Sequence, residues 1–248
     1  MTSQRAVWAG WVVWLTCLPP MAKAQTPAEP PALAPTPVPV DELPPEARAR
    51  VRVVLDQPTL RTHGRAETFT CDPTVYDWLL DHPDLAVRLW RLVGAKCTDI
   101  FPEGGDRFVW KDGQNTVHWD TVLKRPGLRV WYAEGEVRAG ALLPGATVKA
   151  VAVLRYGQGQ LSDGRKALKH QVELTLHTDS HVVALATRIF GASAPRAGEQ
   201  LVGQIEMFYG ALAWYLDRHP RHAEALFAQL RRPAATDVPI RPDARSGG

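Results

Sequence analysis

The sequence predicts an α+β fold in which an antiparallel sheet packs against a long C-terminal helix. From about Thr62 the chain reads as one strand, two short helices, six strands and one long helix. Gly and Pro residues separate the six strand segments, which is typical of antiparallel strands joined by turns. The last helix carries an apolar stripe, and the apolar face of the sheet is the surface that can bury it.

The first part of the predicted domain combines a strand with two short amphipathic helices. Arg61–Thr70 is predicted as one continuous strand, preceded by a short helix from Glu46 and a strand at Arg52–Leu55. Asp72 and Pro73 predict the start of the first helix after the strand. Asp caps free N–H groups, and Pro has no N–H to lose at the first helical position. Pro83 and Asp84 separate this helix from the second one.

After Gly94 the apolar period changes from helical to strand-like. The predicted strands are separated by turn signals such as Lys111-Asp112-Gly113 and Arg125-Pro126-Gly127. They lie at Arg107–Trp110, Thr116–Leu123, Leu128–Arg138, Thr147–Tyr156, Ala167–Leu176 and His181–Phe190. The final helix is predicted at Pro195–Asp217, with its apolar stripe formed by Leu201, Ile205, Phe208, Leu212 and Leu216.

The N-terminus has the organisation of a signal peptide. Arg5 precedes the apolar run Ala6–Leu18, and Ala22-Lys23-Ala24 places small residues at a cleavage site. The run is too short for a membrane-spanning helix, because Pro19 and Pro20 end it well before about 20 residues. We therefore expect an exported, periplasmic or extracellular protein that is cleaved after Ala24 and has no transmembrane segment in its mature chain.

The mature chain is predicted to contain one domain between two unstructured ends. Residues 25–46 are rich in Pro and form a predicted spacer, residues 47–232 form the domain, and residues 233–248 form a polar tail. Of 29 basic and 26 acidic residues, cleavage removes two basic residues and no acidic one, so the mature protein is nearly neutral. This balance does not favour a nucleic acid as partner.

Two of the three cysteines, Cys71 and Cys97, remain after cleavage. In an oxidising compartment they could form one disulfide. A nucleophilic or metal-binding role has less support, because a zinc site needs three or four ligands at close spacings such as C-x-x-C, which this chain lacks. His177 and His181 flank a predicted turn and as a pair could bind a metal only weakly. The sequence likewise contains no G-x-S-x-G elbow, and we expect no catalytic residue, metal or cofactor.

The element order resembles that of the helix-grip superfamily, which includes START lipid-transfer domains, pollen-allergen-like proteins and aromatase/cyclase-like proteins. The resemblance covers residues 62–218 and rests on the short helices in Thr74–Val93 and the long helix in Ala197–Asp217. It implies a curved sheet that wraps the long helix and encloses an apolar cavity. It also implies that the first two strands come together around the short helices, which would bring Cys71 close to Cys97.

The cavity would be lined by the apolar sheet face and by the long helix. His170 shares strand parity with the apolar residues of its strand, although a single His on such a face is more often a hydrogen-bonded core residue. The middle strands are apolar on both faces, so their inward parity stays open. The candidate ligand-binding residues are Tyr132, Glu134, Tyr156, His170, Leu174, Ile205, Phe208 and Leu212.

Three functional hypotheses follow, and each rests on fold-level analogy. The first is a non-catalytic binding or transfer protein for a lipid-like or other apolar small molecule. The second is a structural or interaction domain whose cavity is filled by its own side chains. The third is a cyclase-like enzyme, which requires Tyr132, Glu134 and His170 to converge as acid-base groups.

Overall fold

The computed structural model describes residues 29–33, 37–113, 115–137, 146–178 and 193–231, with side chains in the last range described from residue 198. The predicted signal peptide, the predicted strand His181–Phe190 and the tail from residue 233 lie outside these ranges.

The described residues form five helices and eight strands, and the predicted α+β class is confirmed. The helices are α1 (Pro45–Asp56), α2 (Pro73–Asp81), α3 (Pro83–Leu92), α4 (Ser193–Arg218) and α5 (Pro220–Leu230). The strands are β1 (Leu60–His63), β2 (Glu67–Thr70), β3 (Ile100–Gly104), β4 (Arg107–Lys111), β5 (Thr116–Arg125), β6 (Leu128–Val137), β7 (Ala146–Gln160) and β8 (Lys166–Thr178).

All eight strands belong to one antiparallel sheet. Its order is β1-β8-β7-β6-β5-β4-β3, and β2 also pairs with β8. Leu60 of β1 lies opposite Leu176, and Glu67 of β2 lies opposite His170, so the two short strands follow β8 one after the other. The single strand predicted at Arg61–Thr70 is therefore interrupted, and the break falls at Gly64.

One face of the sheet is covered by helices α2 to α5. Aromatic and aliphatic side chains from these helices meet the residues of one strand parity in the main core. The fully buried members include Tyr76, Leu79, Leu89, Leu154, Leu168, Val172, Leu212 and Leu226. The long helix α4 lies across β1, β2 and β8 and also contacts α2, α3 and α5.

The opposite face of the sheet is covered by α1, which forms a second core. Val51 and Val54, three positions apart on the helix, are fully buried against Val130 and Val153 of the sheet. The strand predicted at Arg52–Leu55 is wrong, because this segment continues α1 and the spacing of its buried valines is helical. Both faces of the sheet are therefore buried. This explains why residues of both parities on the middle strands are apolar.

Part of the segment predicted as a spacer is packed against the domain. Leu43 is only 2% exposed and joins the core beneath α1, together with the partly buried Val38 and Val40. Glu42 accepts hydrogen bonds from Arg125 at 2.9 Å. Further upstream, the Pro31 ring lies where a Cβ at position 157 would stand, which explains the glycine there. The domain thus begins before residue 47.

The start of α2 follows the sequence prediction. The Asp72 carboxylate accepts a hydrogen bond from the Thr74 N–H at 2.9 Å, and Pro73 is the first helical residue. Pro83 and Pro220 occupy the same position in α3 and α5. Helices α2, α3 and α5 therefore each begin where a missing N–H costs nothing.

The predicted disulfide is not formed, since Cys71 and Cys97 are both free thiols. Cys71 follows β2, which pairs with β8, whereas Cys97 precedes β3, which is the last strand at the opposite edge of the sheet. The strands on either side of the short helices do not come together, so the premise for the pairing does not hold. Burial raises the pKa of the Cys71 thiol to about 12, so this residue is an unreactive core thiol.

None of the helices among the described residues is long and apolar enough to cross a membrane.

Candidate functional site

The space between the sheet and α4, where a cavity is predicted, is filled by side chains. Tyr76 of α2 is fully buried, and its hydroxyl lies 2.7 Å from His170 Nδ1. The Phe69 ring centroid lies 4.8 Å from that of His170, and the Tyr156 centroid lies 5.5 Å from that of Tyr76. The side chains on the predicted inward face, His170, Tyr156 and Leu174, do point toward the helices. They contact other side chains of the core there.

The predicted residues of the long helix also belong to this core. Leu212 is fully buried, and Ile205 and Phe208 pack against the cluster while partly exposed. The Phe208 ring lies 4.9 Å from the Tyr209 ring, and the Phe208 carbonyl accepts a hydrogen bond from Trp90 Nε1 at 2.9 Å. These contacts fix α4 against α3 and fill the side of the predicted cavity.

Tyr132 and Glu134 lie on the other face of the sheet, beneath α1. The Tyr132 hydroxyl donates a hydrogen bond to Glu134 Oε2 at 2.9 Å, and the Arg50 guanidinium lies 4.7 Å above the Tyr132 ring. Burial and the Glu134 carboxylate raise the pKa of Tyr132. Tyr132 and Glu134 therefore do not converge with His170, and the acid-base grouping required by the enzyme hypothesis is absent.

Tyr156 is satisfied by protein groups at the base of the filled space. Its hydroxyl donates to Asp77 Oδ1 at 2.5 Å and accepts from Arg129 Nη1 at 2.9 Å. The Arg129 guanidinium also lies 3.3 Å from Asp77 and 3.5 Å from Asp81. This network ties α2 to β6 and β7, so the polar end of Tyr156 serves helix packing rather than a ligand.

His170 is buried with one ring nitrogen unpaired. Its Nδ1 meets the Tyr76 hydroxyl, whereas Nε2 has no hydrogen-bond partner in the described part of the chain. The nearest carboxylate, Glu67 Oε2, lies 3.9 Å from Nε2. Burial lowers the pKa of His170 to about 4, so the ring is neutral at physiological pH. Gly210 of α4 packs on this ring, with room for no side chain.

Glu206 lies one helical turn before Gly210, and its side chain fills the gap between β1 and β2. The side chain is 4% exposed, and its Oε1 accepts a hydrogen bond from the Val172 N–H at 2.8 Å. Its carboxylate lies where a Cβ at Gly64 would stand, at 2.1 Å. Burial raises the pKa of Glu206 to about 7. The hydrogen bond from Val172 lowers this pKa, and the negative charge of Glu67 raises it.

A groove lies on the outer side of the helical layer. It consists of two adjoining hollows of about 480 Å³ each, which share Val75, Phe227 and Arg231. The first lies among α2, the end of α4 and α5, and the second lies among α2, α3 and α5. Most of the remaining wall is apolar and comprises Trp78, Leu85, Ala213, Leu216, Pro220, Ala223 and Leu230.

The rim of the groove is acidic. Asp72, Asp217 and Glu224 line the first hollow. Hydrogen bonds from Lys166 and Thr74 lower the pKa of Asp72 to about 2, so its charge is already compensated. Asp217 and Glu224 form no ion pair with any described residue. Arg231, at the end of α5, supplies the cation of the groove lining.

The groove was not predicted from the sequence, and the signal that points to it lies in α5. Ala223, Leu226, Phe227 and Leu230 recur at helical spacing after Pro220, and this pattern predicts an amphipathic helix. Val75 and Trp78 fall on the apolar side of α2, where they read as core residues. Among the described residues, no group of three or more His, Cys, Asp or Glu side chains could hold a metal ion.

Comparison with known proteins gives little further information. No family model matches this chain, and no curated protein matches it. Among solved structures, it is similar to a conserved protein from Geobacillus kaustophilus, with a TM-score of 0.42 and 16% identity over 64% of this chain and 97% of that one. This similarity is too weak to support an argument about function.

Proposed function

We propose that this is an exported, non-catalytic binding or transfer protein for a lipid-like or other apolar small molecule held in the groove between α2 and α5. The observation that carries the proposal is the pair of adjoining hollows, because ligand sites are typically concave, mostly apolar and a few hundred Å³ in volume. The acidic rim supplies the few polar groups that orient a ligand.

The filled interior moves the proposed site from the sheet–helix interface to the groove. A ligand between the sheet and α4 would have to displace Tyr76 and separate it from His170 Nδ1, leaving that nitrogen without its partner. A ligand in the groove displaces no side chain of the described core. We keep the helix-grip relationship as part of this proposal, supported by the order of the elements and by the position of α4 across β1 and β8.

A structural or interaction domain is the second candidate function. The observation that favours it is the same filled interior, in which aromatic side chains leave the sheet and α4 in direct contact. The two candidates differ in what the groove does, since an interaction domain requires no small molecule there.

The groove can be tested with the neutral apolar dye Nile red. Phe227→Ala removes the aromatic wall shared by both hollows, so we expect the dye affinity measured by fluorescence titration to fall at least about fivefold, as loss of a buried ring costs more than 1 kcal/mol. Phe101→Ala is the matched control, because Phe101 is half exposed on β3 and far from the groove lining. Equal dye affinity in both variants, with unfolding temperatures close to that of the parent, would count against the groove.

Export can be tested on the expressed full-length chain. We expect N-terminal sequencing of the protein from the extracytoplasmic fraction to begin at Gln25. A cytoplasmic protein that retains Met1 would refute this part of the proposal.

Native mass spectrometry of the same sample, followed by organic extraction, should reveal a bound apolar compound in stoichiometric amount.

A further inference from the structure

We propose that the C-terminal segment of the same chain, residues 232–248, docks in the groove and competes with its ligand. This inference rests on the proposed function in one respect, because competition requires that the groove binds a ligand. The docking itself depends only on the groove and on the segment.

The segment begins at the groove. Arg231, the last described residue, lines both hollows. Helix α5, one wall of the groove, has 11 residues and is about 16 Å long. An extended chain from Arg231 reaches Val238 within about 25 Å, so the segment can fold back along the whole length of α5.

The segment has the sequence of a ligand for an aromatic groove. It contains Val238 followed by Pro239-Ile240-Arg241-Pro242, a P-x-x-P arrangement with an internal Arg. Proline-rich segments favour the extended polyproline II conformation and therefore lose little entropy when they dock on aromatic side chains. The groove provides such side chains in Trp78 and Phe227, whose ring centroids lie 5.2 Å apart in an edge-to-face arrangement.

The charge balance favours docking, because the segment carries three arginines against two aspartates, whereas the first hollow is lined by three carboxylates against one arginine. Asp217 and Glu224 on the rim form no ion pair within the described chain, and Arg241 stands between the apolar Ile240 and Pro242. A guanidinium can pair with a carboxylate of the rim while the flanking aliphatic side chains contact the apolar wall. The apolar and the charged parts of the segment therefore both find partners in the groove.

The other proline-rich segment of the chain is not the occupant favoured by the structure. Its described residues lie on the opposite face of the sheet, where Pro31 contacts the backbone near Gly157 and Val38 packs beneath α1. Helix α1 and the sheet separate them from the groove. The C-terminal segment is tethered at the groove itself.

Tethering makes even weak docking effective. A short flexible linker gives an effective concentration in the millimolar range, so a segment with an intrinsic affinity of a few tenths of a millimolar would occupy the groove most of the time. Its presence would weaken the apparent affinity of a ligand by about fivefold and slow the local opening of α5 by the same factor.

The test uses the full chain with Val238→Ser and Ile240→Ser together, against a matched control with Ala234→Ser and Ala235→Ser. The first variant removes the apolar contacts of the segment, and the control makes two serine substitutions nearer to its start. Two readouts are measured in parallel, namely Nile red affinity and amide hydrogen exchange of α5. We expect the first variant to bind the dye about fivefold more tightly and to exchange its α5 amides about fivefold faster, with the control unchanged.

The two readouts separate this inference from the proposed function. Unchanged exchange in the Val238/Ile240 variant would overturn docking, whatever the dye does. Faster exchange without dye binding in any variant would support docking and overturn the groove as a site for small apolar molecules. Equal effects of both double substitutions would also overturn the inference, because the P-x-x-P region would then carry no specific contact.

Discussion

Replacing Glu206 with glutamine should make the protein more stable than the parent at pH 8, by about 3 kcal/mol, and equally stable near pH 4.5. The pKa of this carboxyl is raised to about 7 in the folded protein, and each pKa unit corresponds to about 1.4 kcal/mol. The protonated carboxyl thus contributes fully to the free energy of unfolding below its unfolded pKa. This contribution is lost as the pH rises through the folded pKa of about 7. Glutamine keeps an acceptor for the Val172 N–H but carries no charge.

His170 has the opposite dependence and must be included in the measurement. Its pKa is lowered to about 4 by burial, so its contribution is present above the unfolded pKa and is lost as the pH falls toward 4. Between pH 4.5 and 6.5 the two contributions oppose each other, and the parent should show a nearly flat profile. The Glu206→Gln variant should instead gain stability with rising pH across this window.

Urea denaturation at several pH values measures both effects, and Glu199→Gln is the control because Glu199 is exposed on the same helix. The other carboxylate facing this site, Glu67, remains in both variants. A Glu206→Gln protein that is less stable than the parent at pH 8 would show that the carboxylate is favourable where it lies.

Replacing Gly135 with alanine should lower the free energy of unfolding by at least about 3 kcal/mol. An added Cβ would lie 2.2 Å from the Thr116 carbonyl oxygen and 2.7 Å from the Val117 Cα on the neighbouring strand. These are backbone atoms, so no side-chain rotation relieves the overlap, and β5 and β6 must separate. Loss of their pairing would also disturb the strand that carries Arg129 and Trp131.

Gly203→Ala provides the comparison for this substitution. Gly203 lies in α4, and nothing stands within 4 Å of an added Cβ there. Alanine should stabilise the helix by about 0.5–1 kcal/mol through its higher helix propensity. Chemical denaturation of both variants gives the change in the free energy of unfolding, which should be negative for Gly135→Ala and positive for Gly203→Ala. A Gly135→Ala protein within 1 kcal/mol of the parent would show that β5 and β6 approach each other less closely.

The elements were predictable from the sequence wherever a local signal was sufficient. Asp72 and Pro73 mark the start of α2 because capping is a property of neighbouring residues. The hairpin turn at Gly127 was predictable because glycine accepts its φ of 76°. The break at Gly64 was not predictable in this way, since it depends on Glu206, which is distant in the sequence and inserts its carboxylate from α4.

The site was harder to predict because burial and ligand contact produce the same apolar pattern. His170 and Tyr156 have the predicted parity, yet each meets a side chain of α2, and no pattern on β7 or β8 indicates how far α2 fills the space. Tyr132 was misplaced because a sheet buried on both faces gives no alternation to read. The groove depends on how α2 and α5 lie beside each other, which neither helix encodes alone.

The second core beneath α1 has a consequence for the order of folding. Val51 is synthesised early, but its partner Val130 follows only about 80 residues later, and contacts of such long range slow the folding of small domains. The α1 side can close once β6 and β7 have been synthesised, whereas the apolar side of α3 waits for α4, since Trp90 meets the Phe208 carbonyl 118 residues further along the chain. The apolar sides of α2 and α3 therefore stay uncovered longer in the nascent chain than the apolar side of α1, because their partners β8 and α4 are synthesised after β6 and β7.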